Sequence, residues 1–346
     1  MADPKSQKVR WGILATGNIA RSFAEGVKHC KSGILQAVGS RSQESADSFG
    51  EDFGIPNCHP DYESLLADPE VDVVYIATPH PMHLEWATKA AKAGKHVLCE
   101  KPIGMNLAEA ETIIAAAREN DVFLMEAFMY RCSAQTAKIV ELIKGGAIGR
   151  VKSIEASFSF AIDGADPNGR HLSKALGGGG ILDVGGYPMS LARLVAGAAN
   201  GLPFAEPVEL KAVGQLGETG VDEYTSAVAM FPGGIIARLS CGVDLEEPIE
   251  VTIAGDGGRL FVPVPWKPAQ EGGTTELHLF QRGSDVPQIV EVTTDDYLYG
   301  AEADTVARYL DARQAASPAM SWDDTLGLMR ALDHWRAEIG LRYEGE

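Results

Sequence analysis

The chain lacks the basic excess and the long apolar runs that mark several common protein classes. Its 346 residues carry 30 Lys and Arg against 48 Asp and Glu, a formal net charge of −18. Nucleic acids and anionic membrane surfaces bind basic surfaces, so we exclude both as partners. No apolar run approaches the ~18 residues of a membrane span. The polar stretch 1–8 has no apolar core, and we expect no signal peptide.

Cysteine and histidine are too scattered to suggest a metal centre. The five cysteines show no CxxC or other metal spacing, so we expect reduced thiols in a cytoplasmic protein. His80 and His83 are metal-ligand types, but no third ligand stands near them, and we predict no metal site. The chain is 45% hydrophobic and long enough for two domains with separate cores.

Short apolar runs alternate with helical segments in the first part of the chain. Val9–Leu14, Ile34–Gly39, Val71–Ala77 and Val97–Cys99 have the length and composition of buried strands. Strands that alternate with helices predict an α/β, Rossmann-like, doubly wound parallel sheet. We therefore assign residues 1–128 to a dinucleotide-binding Rossmann domain.

The turn after the first strand carries a variant of the dinucleotide fingerprint. It reads A-x-G-x-x-A where the common motif reads G-x-G-x-x-G, and a helical segment follows it. Gly17 lets backbone amides approach a pyrophosphate at the start of that helix. Alanine is the smallest replacement for the flanking glycines. The predicted cofactor contacts in this turn are Ala15, Thr16, Gly17, Asn18 and Ile19.

The second strand ends in Ser40 and Arg41, at the place where NAD enzymes usually carry an acidic residue. A hydroxyl and a guanidinium suit the 2′-phosphate of NADP better than the bare ribose of NAD. We predict NADP as the cofactor, with NAD as the alternative. Arg41 would then contact the phosphate, unless it merely stacks on the adenine or points to solvent.

Lys101 follows the strand Val97–Cys99, which Pro102 ends because proline has no amide hydrogen. Ligands of open parallel sheets bind beyond the carboxyl ends of the strands. We therefore predict that Lys101 lies where cofactor and substrate meet. The other cofactor contacts expected at this edge are Thr78, Pro79, His80, His83 and Glu100.

From Gly149 onward the pattern changes to apolar and polar residues in alternation, as in Val151–Phe160. This period is typical of strands with one wet face. Residues 129–346 are therefore predicted to form an α+β domain with a large, mostly antiparallel open sheet. Its last helix, from Trp322 with Ser321 as N-cap, is expected to pack back on the first domain or the linker.

A glycine run, 177–180, leads into a helical segment that carries Asp183 and Tyr187. Residues four apart share a helix face. Gly185 and Gly186 cost that helix about 1 kcal/mol each relative to alanine, which indicates a close backbone approach. The alternative is a glycine-rich hinge with a buried tyrosine.

Three further cations fall near the expected substrate cleft. Arg131 follows a predicted strand, and Arg170 and His171 precede the glycine run. We predict that they read substrate hydroxyls or an anionic group. Scattered surface charges are the alternative.

Three motifs together resemble the glucose–fructose oxidoreductase, inositol dehydrogenase and rhizopine-catabolism (Gfo/Idh/MocA) family. They are Ala15-Thr16-Gly17-Asn18-Ile19-Ala20, Glu100-Lys101-Pro102, and Gly178-Gly179-Gly180 followed by Asp183-x-Gly185-x-Tyr187. The likeness covers nearly the whole chain. Tyr187, where inositol dehydrogenases carry histidine, is similar to the branch of dihydrodiol and NADP-dependent D-xylose dehydrogenases.

The resemblance implies a nicotinamide cofactor across the sheet edge, with Lys101 and Tyr187 flanking the reacting carbon. It also implies a cis bond before Pro102 and an open sheet face that forms a homodimer or homotetramer. Tyr187 would be the general acid/base, and Asp183 would orient a neighbouring substrate hydroxyl. A phenol with a pKa near ~10 is too weak a base by roughly 4 kcal/mol at neutral pH. We expect Lys101 to lower that pKa, since an ammonium at ~4 Å contributes about 4 kcal/mol.

The leading interpretation is an NAD(P)-dependent oxidoreductase acting on a hydroxyl or carbonyl of a cyclic sugar or polyol. It would be an aldose dehydrogenase or an anhydro-sugar reductase. The alternative is a redox-neutral, NAD-dependent glycoside hydrolase that oxidises the sugar transiently. A non-catalytic nucleotide sensor is disfavoured, because sensing needs neither Lys101 nor Tyr187.

Overall fold

The computed structural model describes residues 8–162 and 166–344. A search of these residues for a helix with the length and apolar character needed to span a membrane finds none.

The first sheet has six parallel strands in the order β3-β2-β1-β4-β5-β6. Its strands are β1 (Val9–Leu14), β2 (Gly33–Gly39), β3 (Asn57–His59), β4 (Val73–Ile76), β5 (His96–Glu100) and β6 (Leu124–Ala127). The helices are α1 (Asn18–His29), α2 (Gln43–Phe53), α3 (Tyr62–Ala67), α4 (His83–Lys92), α5 (Leu107–Glu119) and α6 (Ala134–Lys144). This order is that of a doubly wound dinucleotide-binding sheet, so the predicted fold class is confirmed.

The second sheet has eight strands in the order β14-β13-β12-β11-β7-β10-β9-β8. Only β7 and β10 pair in parallel among the described strands of this sheet, which confirms its mostly antiparallel character. The strands are β7 (Val151–Ser159), β8 (Glu209–Leu216), β9 (Asp222–Phe231), β10 (Ile235–Gly242), β11 (Val251–Gly255), β12 (Gly258–Val262), β13 (Glu271–Gln281) and β14 (Gln288–Tyr297). The helices are α7 (Gly186–Ala199), α8 (Leu298–Tyr309) and α9 (Trp322–Glu338).

One face of the second sheet packs on helices, and the other is open. Strand β9 shows the alternation clearly, because its even-numbered residues from Tyr224 to Met230 are exposed while the intervening ones are buried. The open face carries several large apolar side chains, among them Val213, Val228 and Ile236. Such an apolar patch on a flat sheet is typical of an interaction surface.

Helix α9 belongs to the later part of the chain but packs on the first sheet. Ser321 accepts a hydrogen bond from the Asp324 amide and caps the helix, as predicted. The Trp322 indole donates to the Leu124 carbonyl of β6 at 3.0 Å. Thr325 Oγ1 donates to the buried Glu126 carboxyl at 2.9 Å.

Glu126 joins this helix to the loop that follows Lys101, because its other oxygen accepts from the Ile103 amide at 3.0 Å. Burial raises the pKa of Glu126 to about 7, although the hydrogen bonds from Thr325 and Ile103 act in the opposite direction. The folded chain therefore holds a proton on Glu126 that the unfolded chain releases above its ordinary pKa.

We predict that Glu126→Gln flattens part of the pH dependence of folding stability. With the folded pKa raised, the unfolding free energy falls as pH rises from about 4.5 to about 7, and the neutral amide removes that loss. Urea unfolding at pH 5 and pH 7.5 measures the difference. A difference as large in the variant as in the parent protein would contradict the assignment.

Candidate active site

Lys101 stands at the carboxyl end of β5, directly before a cis peptide bond to Pro102. Its ammonium donates to the Asp183 carbonyl at 2.6 Å and to Asp183 Oδ1 at 3.4 Å. The end of β5 and the segment before α7, 82 positions apart in sequence, thus meet at the edge where the ligand was expected.

Asp183 is buried, and basic side chains lie around its carboxylate. Arg170 Nη1 lies 3.4 Å from one carboxylate oxygen, and His171 Nε2 lies 3.7 Å from the other. Burial alone would raise the pKa of Asp183, but the charges of Lys101 and Arg170 outweigh it and lower the pKa to about 2. Asp183 is therefore ionised at neutral pH, and both Arg170 and His171 lie beside it, as predicted. Burial lowers the pKa of His171, however, so this residue is neutral rather than the cation that we expected.

Asp183 stands in a π turn, Ile181–Gly185, that leads into α7. A π turn holds more residues than an α turn, so Asp183 and Tyr187 do not have the simple α-helical spacing that we expected. The glycines of this segment allow close packing. A Cβ at Gly185 would lie 2.9 Å from Cys241 Sγ, and one at Gly186 would lie 3.1 Å from a Phe128 ring carbon.

Tyr187 lies next to Lys101, but its ring, and not its hydroxyl group, faces the ammonium. The Lys101 ammonium is 5.3 Å from the ring centroid, whereas the phenolic hydroxyl is 3.5 Å from Met129 Sδ. Burial raises the pKa of Tyr187 well above its usual value. The expected lowering of this pKa by Lys101 is wrong for this structure, because the ammonium is bonded to Asp183.

An aromatic cluster surrounds Tyr187, and sequence reasoning missed it. Its members Phe128, Tyr130, Phe158 and Trp266 have ring centroids 5.1 to 5.7 Å from that of Tyr187. They come from three separate parts of the chain. The dense aromatic content of 128–130 was the one available signal. The cluster gives Tyr187 an apolar environment.

The start of α1 forms an open cradle. Gly17 caps the helix without a side-chain hydrogen bond, and a Cβ added there meets no described atom within 4 Å. The first amides of the helix thus face accessible space, which suits a pyrophosphate. Ala15 has φ +86°, a conformation that favours glycine and in which the motif commonly has one. The residues present therefore fit a bound dinucleotide.

Ser40 and Arg41 lie at the end of β2, beside this cradle. Ser40 Oγ is 3.2 Å from Thr16 Oγ1, so the two segments that were predicted to contact the cofactor meet here. Arg41 is exposed. An exposed guanidinium next to the cradle has room to bind a phosphate.

The residues predicted after β4 divide into two groups. Thr78, Pro79 and His80 lie at the expected edge, where His80 Nδ1 is 3.2 Å from the Gly177 carbonyl. Burial lowers the pKa of His80 to about 3, so it is neutral. His83 has no accessible surface, and its two ring nitrogens lie 2.8 Å from the Pro102 carbonyl oxygen and 2.9 Å from the Thr78 carbonyl oxygen.

His83 therefore has no ring nitrogen left for a cofactor, and we correct its assignment to a support for the loop at Pro102. Glu100 is also buried and accepts a hydrogen bond from the Tyr75 hydroxyl. Its carboxyl group is therefore engaged inside the protein and is not exposed at the ligand edge of the sheet.

Arg131 is not in the cleft. The side chain is fully buried, its Nη2 donates to Asp324 at 2.7 Å, and its Nε donates to the Pro318 carbonyl. Asp324 in turn binds Arg193 of α7. A guanidinium enclosed by protein acceptors cannot contact a substrate. The prediction for Arg131 is therefore wrong, and its role is to hold α7 against the end of β6.

Within residues 8–162 and 166–344, no group of three or more His, Cys, Asp or Glu side chains is placed to hold a metal ion.

Two family models match the chain. The first is an oxidoreductase family with an NAD-binding Rossmann fold, over residues 9–128, and the second is the GFO/IDH/MocA C-terminal domain, over residues 136–261. A trans-1,2-dihydrobenzene-1,2-diol dehydrogenase of Danio rerio is 35% identical, with 97% of this chain and 98% of the relative aligned. A D-xylose 1-dehydrogenase (NADP(+)) of Haloferax volcanii is 30% identical, over 96% and 99%.

Solved structures agree with these relatives. A 3-ketoreductase from Actinomadura kijaniata, in complex with NADP and TDP-benzene, has a TM-score of 0.84 at 26% identity, over 96% of this chain and 98% of that one. An aldose-aldose oxidoreductase from Caulobacter crescentus, complexed with glycerol, has a TM-score of 0.85 at 26% identity, over 96% and 97%.

The fold and the site define a dinucleotide-dependent oxidoreductase with a Rossmann domain and an open-faced second sheet. The chain belongs to the Gfo/Idh/MocA family.

We predict that Gly17→Val abolishes dinucleotide binding while the protein stays folded. The added side chain meets open space in the free protein but would occupy the position of the pyrophosphate. The loss of a favourable helix cap costs about 1 kcal/mol. Thermal unfolding with and without NADP measures both effects.

Ser321→Val is the matched control, because it removes the cap of α9 far from the cradle. It should lose a similar amount of stability and keep the stabilisation by NADP. Stabilisation of the Gly17 variant by NADP to the same extent would exclude this cradle.

Proposed function

We propose that this protein transfers a hydride between NADP and a hydroxyl or carbonyl carbon of a cyclic sugar or polyol. The observation that carries the proposal is the meeting of Lys101, Asp183 and Tyr187 at the edge of the first sheet, beside an open pyrophosphate cradle. Ala15, Thr16, Gly17, Asn18 and Ile19 would hold the pyrophosphate.

The nicotinamide, when bound, supplies or accepts the hydride. Tyr187 exchanges the proton of the substrate oxygen, and Lys101 donates a hydrogen bond to the same oxygen. Asp183 orients a neighbouring hydroxyl, with Arg170 and His171 beside it. Because burial raises the pKa of Tyr187, the phenol carries its proton, which suits reduction of a carbonyl. Oxidation requires Lys101 to turn from Asp183 toward the phenolic oxygen.

The substrate class draws on the relatives and on the aromatic cluster. The relatives include dehydrogenases named for a dihydrobenzenediol and for D-xylose, which both carry more than one hydroxyl group. The aromatic rings around Tyr187 make its surroundings apolar, which suits a substrate whose ring has an apolar face. The relatives described above are dehydrogenases and reductases, so the redox-neutral hydrolase gains no support from them.

We predict that Tyr187→Phe and Lys101→Met each lower kcat by about 100-fold or more, as expected for loss of an acid/base group or its partner. The measurement is NADPH formation or consumption with a panel of aldoses, inositols and diols. Tyr224→Phe, which removes an exposed phenol on the open sheet face, is the control and should keep the parental rate. Turnover of the Tyr187 variant near the parental rate would remove the assignment.

Ser40 and Arg41 are proposed to select NADP over NAD. We predict that Arg41→Gln weakens NADP binding by about 10- to 100-fold, the worth of a charge-assisted hydrogen bond, and leaves NAD binding unchanged. Titration with both cofactors measures this. Arg118→Gln, an exposed arginine on α5, should change neither affinity. Equal losses for the two cofactors in the Arg41 variant would refute selection by the 2′-phosphate.

The open face of the second sheet is proposed to join copies of the chain into a homodimer or homotetramer. Its exposed apolar residues, such as Val213, Val228 and Ile236, support this. We also propose that the enzyme works in the cytoplasm, which the five free cysteines support.

A further inference from the structure

A buried carboxylate lies directly behind the active-site turn. Asp222, the first residue of β9, has no accessible surface, and its Oδ2 accepts a hydrogen bond from the Ile181 amide at 2.7 Å. Ile181 is the first residue of the π turn. The two residues are 41 positions apart, so the contact exists only in the folded chain.

The glycine run makes room for this carboxylate. Gly179 has φ +110°, and a Cβ there would lie 2.2 Å from Asp222 Oδ1. A Cβ at Gly180 would lie 3.3 Å from Oδ2 and 3.1 Å from the Gly242 backbone. These glycines therefore admit a carboxylate of the chain itself.

Asp222 caps the π turn, whose own sequence has no capping side chain. Helices α2, α3, α5, α6 and α9 each begin at a Ser, Asp or Asn whose side chain accepts from the amide three residues on. Gly180 stands in the capping position before the π turn and has no side chain to accept such a hydrogen bond. The first amides of a helical segment need an acceptor, and the Asp222 carboxyl group supplies it. Burial raises the pKa of Asp222 to about 7, although the hydrogen bond from the Ile181 amide acts in the opposite direction.

The capped turn is the one that holds Lys101. Two residues after Ile181, the Asp183 carbonyl accepts from the Lys101 ammonium at 2.6 Å, and the Asp183 amide donates to the Gly179 carbonyl at 3.1 Å. A shift of the turn therefore moves both acceptors that fix the ammonium.

We propose that Asp222 is a positioning residue of the active site, which holds the π turn so that Asp183 keeps Lys101 in place. This inference rests on the proposed function for its kinetic consequences. Asp222 Oδ1 has no hydrogen-bond partner among the described residues. A buried carboxyl group with one unpaired oxygen lowers the stability of the fold. Its position against the turn that holds Lys101 indicates a role in the active site.

The first test compares Asp222→Ala with Asp222→Asn. Alanine removes the acceptor, and we expect kcat to fall by about 10- to 100-fold, the usual effect of a misplaced catalytic group, with the KM for NADP unchanged. Asparagine keeps an oxygen on the Ile181 amide and should stay within about threefold of the parental rate, since Asn and Asp are equal as caps. Equal losses in the two variants, in proportion to lost thermal stability, would overturn the proposal.

A second readout does not depend on turnover. Labelling of Lys101 by acetic anhydride, followed by mass spectrometry, reports how firmly the amine is held. We expect faster labelling in Asp222→Ala than in the parent and an unchanged rate in Asp222→Asn. If the parent protein shows no activity with any substrate, the proposed function fails, while this comparison still decides the role of Asp222. An unchanged labelling rate in the alanine variant would refute it.

Gly179→Ala keeps the test decisive if Asp222→Ala does not fold. The added methyl group would displace the Asp222 carboxylate, so kcat should fall and Lys101 labelling should rise as in Asp222→Ala. Gly273→Ala is the matched control, because Gly273 also has φ +110° but no described atom within 4 Å of an added Cβ. Equal effects of the two glycine substitutions would attribute the change to backbone strain and overturn the proposal.

Discussion

The contact between the Lys101 ammonium and Asp183 is the interaction on which the site depends. It joins the carboxyl end of β5 to the π turn before α7, and so joins the two sheets at the ligand edge. Burial disfavours the ionised form of a carboxyl group unless positive charge lies beside it. Lys101 and Arg170 provide that charge. The position of the turn therefore depends on the same ion pairs that keep Asp183 ionised.

Asp183 and Tyr187 show how two neighbouring groups acquire opposite character. Both are buried, but the cations face Asp183, whose pKa is lowered to about 2, while the hydroxyl of Tyr187 meets a thioether and aromatic rings, and its pKa is raised. Burial without a charged partner favours the neutral form, and burial with one favours the ion. The aromatic rings that enclose Tyr187 therefore pack against it and also keep its phenol protonated.

Much of the fold could be predicted because the information was local. Strand β1 has the predicted bounds Val9–Leu14, since a short run made mostly of apolar residues is typical of a strand buried on both faces. Strands β3, β12 and β14 were not predicted. The first two are three and five residues long. Strand β14 lies at the sheet edge and buries only Val292, so its sequence shows little apolar alternation.

The sequence by itself determined the order of strands and helices, the glycine cradle at Gly17 and the residue types at the strand ends, because turns and periodicity depend on neighbours in the chain. Only the tertiary structure decided how those side chains are used. Arg131 is paired with an acid 193 positions away, His83 is bonded to the Pro102 loop, and Asp222 caps a remote turn. Burial and pairing arise from contacts between distant segments, and no local pattern contains them.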